Sequence, residues 1–458
     1  MRVEVFFWIL LSWVLGLALA SLALPTPRSR RLRLALAAPL GMGIVSLLEF
    51  VALTTGWVAL TLISELLLVV AISLLLFRRM RTHRGASPEA CDPEHCPRYL
   101  TLSLLALAAI AFASFILRSY QAPHGESDAM NIWNLHARFL FRDPEHWHAM
   151  FSPTLDYSHP DYPLLLPGFI ASTWARLGSD TTLVPTVVAL GFSASLVALL
   201  YESLRDRGLG LAACLATFAL LAGQGFTQYA SAQLADVPLA FFYLASAVLL
   251  TRDGIPGRSD VPRLLLAGFC AGLAAWTKNE GQLFLLLYLA CGIVWLRHAH
   301  RARPWRSWLA LVSGAAPALV AILFFKIRLA TGNDLISGAN STGIIDKLLD
   351  GSRYLECATG LFWGLVRLGD GFLLIVIAFV ILSPRQSRPA DRPARLLFTV
   401  LASSTILGYC FVYIALSGGI EEHMATSLSR LLLQVWPLTL FAILTLNPLL
   451  PSRKVEAT

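Results

Sequence analysis

The sequence predicts an all-α, polytopic membrane protein, and three observations carry that expectation. Of the 458 residues, 56% are apolar and only 14% are charged, far from the balance of a soluble domain. Mean hydropathy is +0.65. Apolar stretches of about 18 to 22 residues recur along the chain, each long enough to cross roughly 30 Å of hydrocarbon as a helix. Open sheet edges have no place in lipid, so the crossings are helical.

Thirteen spans are expected, at 5–24, 34–54, 57–77, 99–118, 181–201, 209–225, 235–250, 263–277, 279–296, 308–329, 370–383, 395–416 and 431–449. The odd number places the termini on opposite sides. The segment 162–178 is apolar but short and broken by proline, and is read as a re-entrant or surface-lying helix. Charge supports that choice. With the N-terminus outside, the loops "PTPRSRRLR", "RRMRTHRGASPEACDPEHCPR", "ESLRDRG", "TRDGIPGRSDVPR", "RHAHRARPWR" and "SPRQSRPADRPAR" and the tail "PSRKVEAT" are cytoplasmic. They hold most of the 36 lysines and arginines, as the positive-inside rule requires. Counting 162–178 as a crossing would invert every later loop. The net charge of +8 therefore reflects orientation, and no nucleic acid partner is implied.

The first 24 residues resemble a signal peptide ending near Ala18, Leu19 and Ala20. The cluster Arg28, Arg30, Arg31 and Arg33 directly after it resists export, so an uncleaved first span is expected. Arginine far outnumbers lysine, which fits a GC-rich bacterial genome and hence an inner membrane whose outer face meets the periplasm. Seven cysteines give no framework. Cys214, Cys270, Cys291 and Cys410 fall in spans, and the spacing of Cys91, His95 and Cys96 in "CDPEHC" is weak for zinc.

Polar residues collect on the outer side, at 119–162, 226–236, 278–281, 330–369 and 417–430, with six of the ten histidines. In "GESDAMNIWNLHARFLF", Ser127 suits a helix N-cap. Helical spacing puts Ala129, Ile132, Trp133, His136 and Leu140 on one face and Asp128, Asn131, Leu135, Arg138 and Arg142 on the other. That is an amphipathic surface helix, with Trp133, Phe139 and Phe141 suited to the headgroup zone. Asp128 is either a catalytic carboxylate or a first-turn charge facing the helix dipole.

Asp236, in "ADVPLAFF", stands at the mouth of a span with Pro238 in the first turn. It is a solvated cap or a functional carboxylate. Lys278, Asn279 and Glu280 interrupt an apolar run, and Gly281 suits the tight turn they imply. Lys278 either pairs with Glu280 or meets an anion. Arg430, at the outer end of the last span, either snorkels or binds phosphate oxygens.

In this order the islands resemble the polyprenyl-phosphate-dependent membrane glycosyltransferases of the GT-C class, which include aminoarabinose and mannosyl transferases and protein O-mannosyltransferases. The carrying segments are "GESDAMNIWNLHARFLF", "HPDYPLLLPGFIASTWARLG", "ADVPLAFF", Thr277 to Gly281, and Arg430 followed by Pro437. The resemblance covers 99–458, leaving 1–98 as three N-terminal spans with a basic cytoplasmic loop. "HPDYP" stands where the family has "HPPL"-like residues, so Asp161 is an added carboxylate. No large soluble domain follows the last span, so acceptor recognition falls to the outer loops, 330–369 among them.

The resemblance implies an inverting enzyme that moves a hexosyl or pentosyl group from a polyprenyl-phosphate donor to an envelope glycan, lipid or protein acceptor on the outer face. It implies Asp128 as general base, Lys278 and Arg430 as donor-phosphate contacts, and Asp236, Glu280, His159 and Asp161 as acceptor- or metal-orienting groups. A divalent cation at Asp236 stays open, since hard cations prefer carboxylate oxygens. The rival readings are a lipid-linked saccharide flippase, which would favour midplane charges and repeated halves, an envelope polymer ligase or polymerase, and a scaffold without catalysis.

Overall fold

The computed structural model describes residues 2–26, 29–57, 60–82, 97–252, 259–299, 303–330, 341–382, 392–415 and 419–446. "CDPEHC", the C-terminal tail and most of the basic loop before 395 lie outside them. The described chain is helical throughout: α1 (Arg2–Ala23), α2 (Arg30–Thr55), α3 (Leu60–Thr82), α4 (Arg98–Gln121), α5 (Asn134–Arg142), α6 (Leu165–Leu177), α7 (Leu183–Arg205), α8 (Gly210–Ala222), α9 (Gln224–Ser231), α10 (Asp236–Thr251), α11 (Val261–Thr277), α12 (Asn279–Ala299), α13 (Pro304–Phe324), α14 (Ser341–Leu349), α15 (Gly351–Arg367), α16 (Phe372–Leu382), α17 (Arg392–Ala415) and α18 (Ile420–Leu446).

Among the described residues, nine helices are long and apolar enough to cross a membrane, or up to eleven if two bent pairs each count as one span. The pairs are α8 with α9, bent by 68°, and α15 with α16, bent by 79°. Two shorter apolar helices, α10 and α11, complete the set. The protein is an integral membrane protein by this measure. α6, in the stretch read as re-entrant, has only 13 residues.

Every residue of α10 is buried, as expected of a helix apolar all round. It packs between α7, α11 and α18. Buried deep in the bundle, its last-turn carbonyls need partners. Arg263 donates to the carbonyls of Leu249 and Leu250, and Arg207 to Thr251. These contacts close the end of the bundle away from Asp236.

The N-terminal helices pack on the remainder. α2 lies against α6 and α7. The Ser46 hydroxyl donates to the Leu164 carbonyl (2.9 Å) and accepts from the Trp276 indole (3.1 Å). Buried Arg176 on α6 pairs with buried Glu65 on α3 at 2.7 Å.

Two features differ from expectation. The stretch 330–369, read as a loop, carries α14 and the amphipathic α15 in its described part. α18 begins at Ile420, so the helix starts ahead of the span expected from 431 and Arg430 lies inside it.

Candidate functional site

The site begins where α4 ends. Gly125 has φ of +77°, and a Cβ there would lie 2.7 Å from the Ala232 carbonyl oxygen, so only glycine fits both the turn and the close approach. The Glu126 amide donates to that same carbonyl at 3.2 Å. Gln233, itself at φ of +60°, accepts from Asn134 at 2.9 Å and donates to the Pro123 carbonyl and the Thr186 hydroxyl. Residues 123–134 are thus pinned just ahead of Asp236.

The face division of the opening helix is borne out: Ala129, Ile132, Trp133, His136 and Leu140 are buried. Two local expectations are corrected. Ser127 lies inside the first helical turn, and its hydroxyl accepts from Asn131 instead of capping. Trp133 does not face outward as a headgroup anchor would; it is fully buried within the protein, stacked on Tyr162 at 5.5 Å. A π-helical turn, Ala129–Trp133, follows Asp128 and leads into α5.

Five of the expected site residues form one chain of charges. Arg430 donates through Nη1 to Asp128 (2.6 Å) and through Nε to Asp236 (2.9 Å). Lys278 Nζ lies 3.4 Å from Asp236 and 2.7 Å from Glu280. Gln434, one turn beyond Arg430 on α18, donates to the other Asp236 oxygen at 2.6 Å and accepts from the Tyr409 hydroxyl at 2.7 Å. Asp236 is fully buried with both oxygens engaged. It is a paired node, not a solvated cap, which answers the cost of burying a carboxylate.

Lys278 is a single extended residue between α11 and α12 (φ −160°), and this aims its side chain across the mouth of α10. Gly281 permits the tight joint: a Cβ there would fall 1.9 Å from the Ala274 carbonyl oxygen.

Asp161 anchors a second branch. Its Oδ2 accepts from Asn279 at 2.7 Å, and Lys326 donates to its backbone carbonyl at 2.6 Å and approaches Oδ2 at 3.3 Å. His159, at φ of +50°, stacks on Tyr162 at 4.9 Å, and Lys278 lies 5.8 Å above the same Tyr162 ring. All seven expected residues therefore meet at one end of the bundle. Sequence reasoning passed over Lys326, Gln434 and Tyr409, which sit inside apolar stretches read as plain spans.

A divalent cation at Asp236 does not suit this donor set. Cations and an amide hold both Asp236 oxygens, and among the described residues no group of three or more His, Cys, Asp or Glu side chains is placed to hold a metal. Arg430 and Lys278 stand where such an ion would supply charge.

His136 braces the floor. Ser158 Oγ donates to the Leu155 carbonyl at 2.7 Å, so it accepts from His136 Nε2–H at 3.2 Å, leaving Nδ1 bare and buried. Burial, with a smaller push from His159, lowers the imidazole to about 3 from its ordinary 6.5. Between those values the unfolded chain binds a proton that the folded one refuses, so stability falls as pH drops through that window. The expected loss at about pH 5 is about 2 kcal/mol. Melting in detergent should therefore decline from about pH 7 to about pH 5, and His136→Gln should flatten the decline; an identical slope in the variant would refute the assignment.

A groove of about 750 Å³ runs between α8, α9, α15 and α18, lined by Phe226, Leu355, Trp363, Leu428 and Trp436, with Glu356, Arg367, Asp370 and Glu421 also on its wall. Ser429, adjacent to Arg430, lies on its wall and meets the Tyr229 hydroxyl at 2.8 Å. None of the seven expected site residues lines this groove, and helical spacing turns Arg430 and Gln434 to the other face of α18 from Leu428, Leu432 and Trp436. No family model, curated protein or solved structure matches this chain.

Proposed function

We propose that the protein is an inverting membrane glycosyltransferase that takes a sugar from a polyprenyl-phosphate donor and passes it to an envelope glycan, lipid or protein. The observation that carries this reading is the Asp128–Arg430–Asp236 chain continued by Lys278, which gathers two cations and their carboxylates at one end of the bundle. An isoprenoid phosphate is an amphiphile: its tail seeks an apolar groove, its phosphate seeks cations, and its sugar must meet an acceptor away from bulk water.

In this reading an acceptor oxygen attacks the anomeric carbon while its proton passes to the Asp128 carboxylate. The bond from the anomeric carbon to phosphate oxygen breaks, and the electron pair leaves with the polyprenyl phosphate. Arg430 and Lys278 stabilise that developing charge. Asp236 holds both cations in register, and Glu280, Asp161 and His159 line the approach of the acceptor. Attack opposite the leaving group inverts the centre.

The nine long helices, two bent pairs and two short apolar helices suit thirteen crossings with α6 re-entrant. With the basic loops cytoplasmic, the site faces outward, toward the periplasm of a bacterial inner membrane. The charges gather at one end of the bundle, which favours surface chemistry over a midplane transport path.

The test is transfer of labelled sugar from a panel of polyprenyl-phosphate donors to membrane extracts by the protein in proteoliposomes. Protein-dependent consumption of one donor, with label in the acceptor, is expected. Movement of labelled lipid between leaflets without consumption would replace the proposal with a flippase.

A further inference from the structure

The two cations assigned to the phosphate are each already flanked by two carboxylates. Arg430 lies between Asp128 and Asp236, and Lys278 between Asp236 and Glu280. Three acids against two bases leave this cluster with an excess negative charge. By itself it offers an arriving anion little attraction.

Lys326 is placed differently. It approaches one carboxylate, Asp161, whose nearer oxygen is shared with Asn279. Its shortest contact is to a neutral backbone carbonyl. An ammonium has three N–H groups; two turn toward Asp161, and none of the described residues engages the third in a hydrogen bond. The Lys326 side chain is 22% exposed, against 7% for Lys278.

The backbone accounts for this placement. α13 ends in a π-helical turn, Phe325–Leu329, a device that recurs at functional sites. Phe325 is buried among Phe50, Phe151 and Trp276, so Lys326 next to it is carried on a fixed base. The other π-helical turn among the described residues is the one after Asp128. Both border the same site.

We propose that Lys326 is a direct ligand contact, donating its remaining N–H to a phosphate oxygen of an isoprenoid lipid, with the Asp161 backbone carbonyl positioning it. This rests on the glycosyltransferase reading and adds a third cation that neither the resemblance nor the apolar context of the sequence assigns. A phosphate ester at this depth could come from an isoprenoid lipid or from a bulk phospholipid headgroup, and the experiment separates them.

The full chain in nanodiscs is titrated with a polyprenyl phosphate and, separately, with phosphatidylglycerol, and binding is followed by native mass spectrometry. Lys326→Gln should weaken polyprenyl phosphate binding roughly tenfold, as expected for one charge-assisted hydrogen bond, and Lys326→Arg should restore much of it. Asp161→Asn keeps the shape and removes a competing charge, so its affinity should hold or rise. In transfer assays Lys326→Gln should raise the donor KM more than it lowers kcat. Wild-type affinity in Lys326→Gln, with the wild type binding the lipid, overturns the proposal, as does a loss confined to phosphatidylglycerol. If the wild type binds neither lipid and transfers no sugar, the glycosyltransferase reading fails first.

Discussion

Asp128→Asn should abolish sugar transfer while leaving the binding of lipid phosphate intact or stronger. The reason lies in what Asp128 touches. Its Oδ2 accepts from Arg430 at 2.6 Å, so in this state the carboxylate occupies the guanidinium that the proposed function assigns to the donor phosphate. Binding of a donor would then have a second effect under the proposed function: phosphate oxygens would compete for Arg430 and free Asp128 to accept a proton. On the glycosyltransferase reading, the expected order of events is donor first, acceptor second.

Replacing the carboxylate with an amide removes the base, a change that typically costs about 10²- to 10⁴-fold in rate. The same change removes a competitor for Arg430. The pair is partly exposed, with side-chain exposures of 17% and 33%, so the gain is that of a screened ion pair. An interaction worth up to about 1 kcal/mol corresponds to roughly 2- to 5-fold tighter binding of polyprenyl phosphate. Opposite signs for turnover and affinity would be hard to obtain from misfolding. Parallel loss of both, with an intact melting transition, would assign Asp128 to donor binding instead.

Much of this arrangement was legible in the sequence, because the bilayer imposes simple rules. Length and hydropathy located most helices, and the proline-broken stretch 162–178 does hold a short helix, the 13-residue α6. The site residues stood out as polar interruptions of apolar runs, and Asp128, Asp161, Asp236, Lys278, Glu280 and Arg430 do converge. Lys326 and Gln434 did not stand out. One polar residue near the end of a long apolar stretch reads as a snorkelling anchor, and nothing local reveals that Asp161 or Asp236, distant in sequence, receives it.

α14 and α15 were hidden for the opposite reason. Their polar faces dilute the average hydropathy, while the apolar face of α15, including Cys357, packs against α17 and α18. The burial of Trp133 likewise depends on Tyr162 arriving from another segment.

Arg430→Met should be the most damaging substitution to the folded protein, more so than Lys278→Met. Arg430 supplies two fixed donors in one plane, one to each of two carboxylates brought from α10 and from the turn before α5. Methionine fills similar volume without charge, so the loss isolates the electrostatic term. Asp236 would remain fully buried with only Lys278 at 3.4 Å and the Gln434 amide as partners. Breaking a buried pair by removing one partner costs about 3–5 kcal/mol, because the other charge stays out of water. Lysine is no substitute, since a single ammonium cannot span both carboxylates with the geometry of a guanidinium fork. The cost should fall when the orphaned charge is also removed: Arg430→Met with Asp236→Asn should be less destabilised than Arg430→Met alone. Thermal unfolding of the two single variants and the double variant in the same detergent closes the cycle. Strict additivity would mean that the 2.9 Å contact contributes nothing to the fold, and the charge chain would then be a ligand site held in shape by its helices alone.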